Sequence, residues 1–198
     1  MSRKVGILGG SFDPIHFGHL NLAISMMEAC ALDEVLFVPT PLSPFKENTP
    51  PKASAQHRQE MLKLAIEPVT KFRILDCEMH IKEPAFTIDT VRKLSSNPSL
   101  QLYLILGEDH LASFHHWKDA KDLIRLAAPL IGTRELGDLS QLPVEFQEKL
   151  QSGRIKIPRF EISSTDVKNR LSQKKYCGHL VPATVLAYID KNHLYTIR

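Results

Sequence analysis

The N-terminal segment of the chain combines three patterns whose order constrains the fold. An apolar run, Val5-Gly6-Ile7-Leu8, is followed by a glycine-rich turn and then by apolar residues at helical spacing. The run predicts a buried strand, and the spaced residues predict one face of a helix that ends near Cys30. Those spaced residues are Leu20, Ala23, Ile24 and Met27. The chain is therefore expected to begin with a strand, a turn and a helix.

Patterns of the two kinds continue to alternate along the chain. Strands are predicted at 35–39, 72–75, 102–106, 130–132 and 155–157. One helix is predicted from Ser54 to Pro68, a second begins near 87–90, and a third ends at 123–126. A proline-rich loop, 39–51, follows the second strand. This alternation predicts an α/β fold, a Rossmann-like, doubly wound and mainly parallel sheet with helices on both faces. Ligands of such sheets bind at the carboxyl ends of the strands.

The C-terminal part of the chain has a different pattern. Beyond Ser163, apolar residues at helical spacing predict two further helices without an intervening strand. No internal repeat or long linker separates them from the rest. We therefore expect a single domain over 1–198, made of an α/β core, 1–160, and a small helical C-terminal subdomain, 161–198.

Composition and charge exclude several classes of protein. With 198 residues, 43% hydrophobic and 24% charged, the chain has the composition of a globular protein. Its 25 Lys and Arg against 22 Asp and Glu give a net charge of +3, which suits a polyanionic small molecule and does not require a nucleic-acid partner. The lack of a basic run or of an aromatic-interleaved patch argues against a nucleic-acid binder. No apolar run approaches the length of a membrane span, and the N-terminal run is too short for a signal peptide. Cys30, Cys77 and Cys177 form no C-x-x-C pair, so we expect a cytoplasmic protein without a disulfide framework.

Residues 9–19, Gly-Gly-Ser-Phe-Asp-Pro-Ile-His-Phe-Gly-His, join a turn suited to phosphate with two histidines three positions apart. Glycines allow positive φ and close approach of a ligand, and a helix N-terminus attracts anions. His16 and His19 would lie on one helix face, where an imidazole can donate a hydrogen bond or a positive charge to an oxygen that gains negative charge. Two ordinary histidines in a turn are the simpler alternative. A zinc site lacks a third ligand nearby, and the spacing fits neither a P-loop nor a dinucleotide fingerprint.

A second candidate anion site follows the last predicted strand. Ile162-Ser163-Ser164-Thr165 opens a predicted helix, where hydroxyls can cap and N–H groups can hold an anion. Capping alone explains one serine. Lys168 and Arg170 follow, and each is a candidate for a phosphate contact, although a solvated surface pair is the alternative.

These motifs resemble those of a known family. The string that contains His16, Gly18 and His19 is similar to the H-x-G-H signature of the nucleotidyltransferase superfamily, and Ser163 to Thr165 is similar to its I-S-S-T motif. Together with the segments below, they resemble bacterial nicotinate-nucleotide adenylyltransferases over nearly the whole chain. The resemblance implies catalytic roles for both histidines and ATP or phosphate contacts from thirteen residues. These are Gly9, Gly10, Ser11, Phe12, Gly18, Lys46, Gly107, Asp109, Arg134, Ser163, Ser164, Thr165 and Lys168.

The resemblance also implies a pocket for the acceptor. Phe86 and Thr87 match the segment that receives the nicotinate ring and its carboxylate, and Trp117, the single tryptophan, matches an indole that stacks on that ring. Helix capping by Thr87 and a core position for Trp117 are the competing explanations. The chain departs from the family pattern in carrying Phe86 for Tyr, Phe45 for His and Lys168 for Arg.

What the resemblance implies is an enzyme that transfers the adenylyl group of ATP to nicotinate mononucleotide, forming nicotinate adenine dinucleotide and pyrophosphate. Mg²⁺ would be held mainly by the ATP phosphates and water, without protein ligands. Three alternatives stay open: pantetheine-phosphate adenylyltransferase, a cytidylyltransferase, and a module that binds nucleotide without turnover. The acid and amide mononucleotides both fit the sequence, and no oligomeric state is predicted.

Overall fold

We describe the chain from a computed structural model, in residues 2–41, 50–78, 85–133, 139–158 and 160–196. These residues form six strands, seven α-helices and one 3₁₀ helix. The strands are β1 (Arg3–Gly10), β2 (Glu34–Pro39), β3 (Phe72–Ile74), β4 (Leu100–Gly107), β5 (Ala128–Thr133) and β6 (Arg154–Lys156). The α-helices are α1 (Phe17–Ala29), α2 (Ala55–Ile66), α3 (Thr87–Ser95), α4 (Ala120–Leu126), α5 (Val144–Ser152), α6 (Ser164–Ser172) and α7 (Ala183–Lys191), and the 3₁₀ helix is Glu108–His116.

The strands form one sheet in the order β3-β2-β1-β4-β5-β6. β1 pairs with β4 in parallel from Arg3↔Leu100 to Ile7↔Leu104, and β4 pairs in parallel with β5. β5 and β6 are parallel as well. This confirms the predicted α/β architecture. The order of the strands reverses between β1 and β4, and ligands of such sheets bind at the carboxyl ends of the strands on either side of that reversal.

The chain divides into two compact units whose segments interleave along the sequence. The first unit contains Met1–Gly9, Leu22–Phe37 and Phe86–Arg159, and the second contains Gly10–Asn21, Val38–Ala85 and Phe160–Arg198. The two predicted C-terminal helices, α6 and α7, belong to the second unit. The single-domain organisation, with an α/β core and a helical subdomain, stays a prediction.

Each unit has its own apolar core. In the first unit, the middle of β1 and the second half of β4 are largely buried, with residues such as Val5, Ile7, Leu104 and Ile105 in the core, as expected of central parallel strands. In the second unit, α2 packs against α7, and both helices bury their apolar faces. None of the helices in the described ranges is long and apolar enough to cross a membrane.

Candidate active site

The connection from β1 to α1 begins at an open glycine and contains one left-handed, buried residue. Gly9 is exposed, and a Cβ added there would meet nothing within 4 Å, which leaves its main chain open to a ligand. No described glycine has a positive φ, so the glycines here are not needed for a left-handed conformation. The left-handed residue is Phe12, with φ 44° and a side chain that is 1% exposed. Burial of the Phe12 ring supplies the packing that keeps this unfavourable conformation.

The two histidines lie together at the start of α1. His16 precedes the helix and His19 is its third residue, so both belong to the first turn. Their rings stack with centroids 3.7 Å apart and an angle of 25° between planes, and the Phe12 ring contacts His19 edge-on at 5.1 Å. The two rings therefore lie side by side at the N-terminal end of α1, and their roles stay a prediction.

A hydrogen bond determines which nitrogen of His19 carries the proton. The His16 main-chain N–H donates to His19 Nδ1 at 3.3 Å, as a Glu or Gln does in a capping box. Because Nδ1 is the acceptor, a neutral His19 ring carries its proton on Nε2. His19 therefore caps the helix with one ring nitrogen and keeps the other as a hydrogen-bond donor.

His16 is largely buried, unlike a histidine that binds phosphate on an open surface. Its side chain is 5% exposed, and burial lowers its pKa to about 4. In the described part of the chain His16 Nδ1 has no hydrogen-bond partner. A Cβ added to Gly18 would lie 3.0 Å from that nitrogen, so the absence of a side chain at Gly18 makes room for the His16 ring. At neutral pH His16 is thus an uncharged imidazole.

Asp13, within the same turn, is the centre of a buried polar network. Its side chain is 2% exposed, and each carboxylate oxygen accepts two hydrogen bonds. Oδ1 accepts from Ala53 N at 3.1 Å and from the Tyr195 hydroxyl at 2.8 Å. Oδ2 accepts from Lys52 N at 2.9 Å and from Lys168 Nζ at 2.9 Å. Burial acts to raise the pKa of Asp13, but these donors outweigh it and lower the pKa, so the carboxylate is charged.

The main-chain carbonyls of the turn are held by side chains from two helices. Arg58 of α2 is 1% exposed and donates to Ser11 O at 2.6 Å, and it also reaches Thr40 O at 2.7 Å. Lys168 of α6 donates to Asp13 O at 2.9 Å. From the same helix the Ser164 hydroxyl donates to Pro14 O at 2.9 Å. The backbone that leads into His16 is thus fixed at three carbonyls.

The charges of this cluster favour an anion. Within the described residues, Arg58 and Lys168 bring two positive charges and Asp13 brings one negative charge. Since the Arg58 and Asp13 side chains are almost fully buried, water screens the excess positive charge poorly. The electrostatics of the second unit therefore suit a phosphate-bearing ligand beside His16 and His19.

The I-S-S-T segment has structural partners for two of its three hydroxyls. Ser163 precedes α6 and caps it, because its Oγ accepts from Asp166 N at 3.1 Å and donates to Asp166 Oδ2 at 2.6 Å. Ser164 holds Pro14, as described above, and Thr165 is exposed. Arg170 donates to Tyr176 O at 3.0 Å, which commits it to its own helix end, whereas Lys168 lies at the turn.

The residues predicted to bind the acceptor lie in the first unit. Trp117 directly follows the 3₁₀ helix that continues from β4, and its ring contacts Phe114 at 5.3 Å and His110 edge-on at 5.7 Å. Trp117 is half-buried, so part of its indole is accessible for stacking. Gly107 ends β4, and Asp109 has an 82% exposed side chain.

The start of α3 argues against capping as the reason for Thr87. The residue before the helix is Phe86, which makes no side-chain capping bond, and Thr87 is the first helical residue. Lys118 Nζ lies 4.4 Å from the centroid of the Phe86 ring and 3.1 Å from Asp89 Oδ2. Phe86 therefore has a cation next to it that the sequence pattern did not indicate.

Two candidate contacts, Lys46 and Arg134, lie outside the described residues. Across the described ranges no group of three His, Cys, Asp or Glu residues could hold a metal ion. Sequence reasoning missed Asp13, Arg58 and Tyr195. Arg58 had a usable signal, because it interrupts the apolar face of α2 formed by Met61, Leu62 and Ala65. Tyr195 had none.

The chain is similar in sequence to a known family. The sequence model of the cytidylyltransferase-like family matches residues 7–170. A protein of Dehalococcoides mccartyi, named as a probable nicotinate-nucleotide adenylyltransferase, is 38% identical in an alignment of 202 residues that covers 98% of each chain. A protein of the same name from Bacillus cytotoxicus is 35% identical, again with 98% of each chain covered.

A solved structure is similar in fold. Nicotinic acid mononucleotide adenylyltransferase of Plasmodium falciparum, complexed with NaAD, matches with a TM-score of 0.76 over 98% of this chain and 97% of that chain. The two sequences are 22% identical. At this identity the likeness is one of fold.

Proposed function

We propose that this chain, which belongs to the nicotinate-nucleotide adenylyltransferases of the cytidylyltransferase-like family, transfers the adenylyl group of ATP to nicotinate mononucleotide. The products are nicotinate adenine dinucleotide, a precursor of NAD, and pyrophosphate. The observation that carries the proposed chemistry is the stacked pair of His16 and His19 beside a buried cluster of positive excess charge. The names of the full-length relatives support the choice of acceptor.

The reaction needs no base from the protein. The phosphate of nicotinate mononucleotide is largely ionised at neutral pH, since the second ionisation of a phosphate monoester has a pKa of about 6. One of its oxygens attacks the α-phosphorus of ATP in line, and the bond from that phosphorus to the β-phosphate oxygen breaks as pyrophosphate leaves. The protein therefore acts by holding the reactants in place and by stabilising charge.

His16 and His19 donate hydrogen bonds to phosphate oxygens in this proposal. Because Nδ1 accepts from the His16 N–H, a neutral His19 ring carries its proton on Nε2, and this N–H is the donor that we assign to phosphate. Before ATP binds, His16 is a neutral ring, so it offers the phosphate a hydrogen bond and not a full positive charge. The stacked geometry places both donors on one side of the reacting phosphates.

Lys168 supplies the positive charge on the same unit. Its Nζ is bound to Asp13 by two of its three N–H groups, and its side chain is 18% exposed, so one N–H remains for a phosphate oxygen. Ser163, Ser164 and Thr165 flank it at the start of α6. The remaining proposed main-chain contacts lie at the end of β1 (Gly9 and Gly10), in the turn (Ser11 and Phe12) and in the first turn of α1 (Gly18). Lys46 and Arg134 are retained as proposed phosphate contacts.

Nicotinate mononucleotide is assigned to the residues of the first unit. The accessible part of Trp117 stacks on the pyridine ring, while Phe86 and Thr87 at the start of α3 receive the ring and its carboxylate. Gly107 and the exposed Asp109 are retained as proposed contacts of ATP, with Asp109 at a ribose hydroxyl.

Mg²⁺ fits this chain as a companion of ATP. Asp13 is not available to a metal, because all four of its acceptor positions are used, and the described ranges hold no cluster of metal-binding side chains. The ion would be held by phosphate and water oxygens, as suits a cation that dehydrates reluctantly. Bound there, it neutralises charge on the triphosphate.

A cytoplasmic location is part of the proposal. ATP is a cytoplasmic substrate, and the three cysteines of the chain are thiols, which is typical of a reducing compartment. The proposed partners are the two nucleotides alone, without nucleic acid or membrane.

Initial rates of pyrophosphate release test the proposed substrate. ATP and Mg²⁺ are supplied with nicotinate mononucleotide, with the amide mononucleotide or with phosphopantetheine. We expect rapid release with the acid mononucleotide and none with phosphopantetheine. Release with phosphopantetheine alone would replace the proposed function by pantetheine-phosphate adenylyl transfer.

A further inference from the structure

The buried carboxylate of Asp13 holds one side chain of the proposed ATP site, that of Lys168. Lys168 Nζ donates to Asp13 Oδ2 and to Asp13 O, both at 2.9 Å. The third N–H of that ammonium group has no partner in the described part of the chain, and the Lys168 side chain is 18% exposed. A lysine on a flexible four-carbon stem is therefore held at a defined place with one donor left over.

Stability alone is a weak explanation for this pair. A buried ion pair costs desolvation energy, and replacing it by apolar residues of similar volume is often neutral for stability. Asp13 also needs two main-chain N–H groups and the Tyr195 hydroxyl to satisfy its oxygens. Four hydrogen-bond donors hold this carboxylate, which is 2% exposed, and its charge at a fixed position.

The attachment of α6 to the turn has a defined register. Ser164 and Lys168 are four residues apart, on one face of α6, and they bind the consecutive carbonyls of Pro14 and Asp13. Because His16 follows two residues later, the ammonium group and the histidine pair are held by one short stretch of backbone.

Tyr195 completes the arrangement from the C-terminal end of the chain. After α7 ends at Lys191, His193 has φ 52° and Tyr195 has φ 64°. These two left-handed residues turn the chain so that the Tyr195 hydroxyl donates to Asp13 Oδ1 at 2.8 Å. A C-terminal residue is thereby connected, through one carboxylate, to Lys168.

We propose that Asp13 and Tyr195 are positioning residues that act through Lys168, holding its ammonium group ready for the triphosphate of ATP. This inference rests on the proposed function. Asp13 thereby immobilises a point charge that stands on a flexible stem.

A double-mutant cycle tests the inference. Asp13→Asn and Lys168→Met are measured singly and together, by kcat/KM for ATP, KM for nicotinate mononucleotide and thermal unfolding. If Asp13 acts through Lys168, each single variant lowers kcat/KM for ATP by about 10- to 100-fold, and the double variant is no worse than the poorer single one. KM for nicotinate mononucleotide stays within about 3-fold. Losses that multiply would overturn the inference.

Tyr195→Phe keeps the test decisive if Asp13→Asn does not fold. It removes one of four donors to Asp13 and should lower kcat/KM for ATP by about 3- to 10-fold in the parent chain but not in Lys168→Met. Tyr188→Phe is the matched control, since the Tyr188 hydroxyl lies 3.0 Å from His57 Nδ1 and makes no bond to Asp13. An equal effect of Tyr195→Phe in both backgrounds, or an equal effect of Tyr188→Phe, would contradict the proposal.

Assay of the parent chain distinguishes failure of the positioning role from failure of the proposed function. A parent chain without turnover of ATP and nicotinate mononucleotide contradicts the proposed function. An active parent with multiplying losses contradicts the positioning role alone. Calorimetric affinity for ATP across the same variants repeats the cycle without turnover, and there too a non-additive loss is expected and an additive loss overturns the inference.

Discussion

His16 and His19 are stacked neighbours, yet their ring nitrogens have different surroundings. His19 uses Nδ1 to accept the His16 N–H, while His16 Nδ1 is buried against Gly18. The two side chains are therefore not interchangeable. His19 combines a structural bond with a donor, and His16 is a buried ring whose pKa is lowered by burial.

Replacing His19 should separate catalysis from folding. His19→Ala removes a transition-state donor, and we expect turnover to fall by roughly 10²- to 10³-fold while the chain stays folded. Steady-state rates and circular dichroism measure the two effects. His19→Gln is the matched control, because its side-chain oxygen can accept the His16 N–H and its amide can donate. It should be more active than His19→Ala, and a fully active His19→Ala would contradict the role.

His16 predicts a loss of stability in mild acid. Its pKa in the folded chain is about 4, below the ordinary value of 6.5, so the unfolded chain binds the proton more readily. Stability from this group is complete above pH 6.5 and is lost as the pH falls toward 4, by up to about 3 kcal/mol. Urea unfolding across this range measures it. His16→Asn should show a smaller decrease than the parent chain, and an identical decrease would contradict the burial of a neutral ring.

The secondary-structure elements position these side chains. Two short segments, the 3₁₀ helix and the end of α7, each lead to a testable prediction. The 3₁₀ helix Glu108–His116 leads from β4 to Trp117, which keeps part of its ring accessible. The end of α7 is a Schellman motif, in which Leu194 N donates to Ile189 O at 3.0 Å and His193 N donates to Asp190 O at 3.2 Å.

Trp117→Ala should weaken binding of one substrate only. Loss of the stacking surface is expected to raise the dissociation constant of nicotinate mononucleotide about 10-fold or more, with ATP affinity within about 2-fold of the parent. Isothermal titration calorimetry with each nucleotide measures both. Equal losses for the two ligands would indicate that Trp117 is a core residue.

His193→Gly should stabilise the chain. The left-handed φ of 52° is unfavourable for a residue with a Cβ, and glycine at this position of a Schellman motif removes that cost, so we expect a gain of about 0.5–1 kcal/mol in the free energy of unfolding. Thermal unfolding measures the change. His179→Gly is the control, since His179 is exposed without a positive φ, and it should not stabilise. A destabilised His193→Gly would contradict the assignment.

On the scale of the whole molecule, local patterns predicted most of the secondary structure. Each strand and helix with a clear period was predicted near its observed position, because that periodicity is recorded within a few neighbouring residues. Helix α5 was missed, since Phe146 and Leu150 are its only buried residues and one apolar pair is a weak signal. The 3₁₀ helix was missed as well, because its period differs from that of an α-helix.

The residues of the candidate site also fall into two groups, those that the sequence predicted and those that only the structure reveals. His16 and His19 were predictable because three positions separate them and the helix aligns them. Asp13 is 155 residues from Lys168 and 182 from Tyr195, so only the folded chain reveals their contact. The resemblance to a family indicated Lys168 as a phosphate contact, while the structure adds the carboxylate that holds it.

The most direct measurement of the central claim is product formation by the purified parent chain. ATP, Mg²⁺ and nicotinate mononucleotide are incubated with the protein, and mass spectrometry and pyrophosphate release are recorded together. We predict nicotinate adenine dinucleotide and pyrophosphate in equal amounts, formed far more slowly by His19→Ala. Absence of the dinucleotide from the parent chain, or equal rates for the parent chain and His19→Ala, would contradict the account.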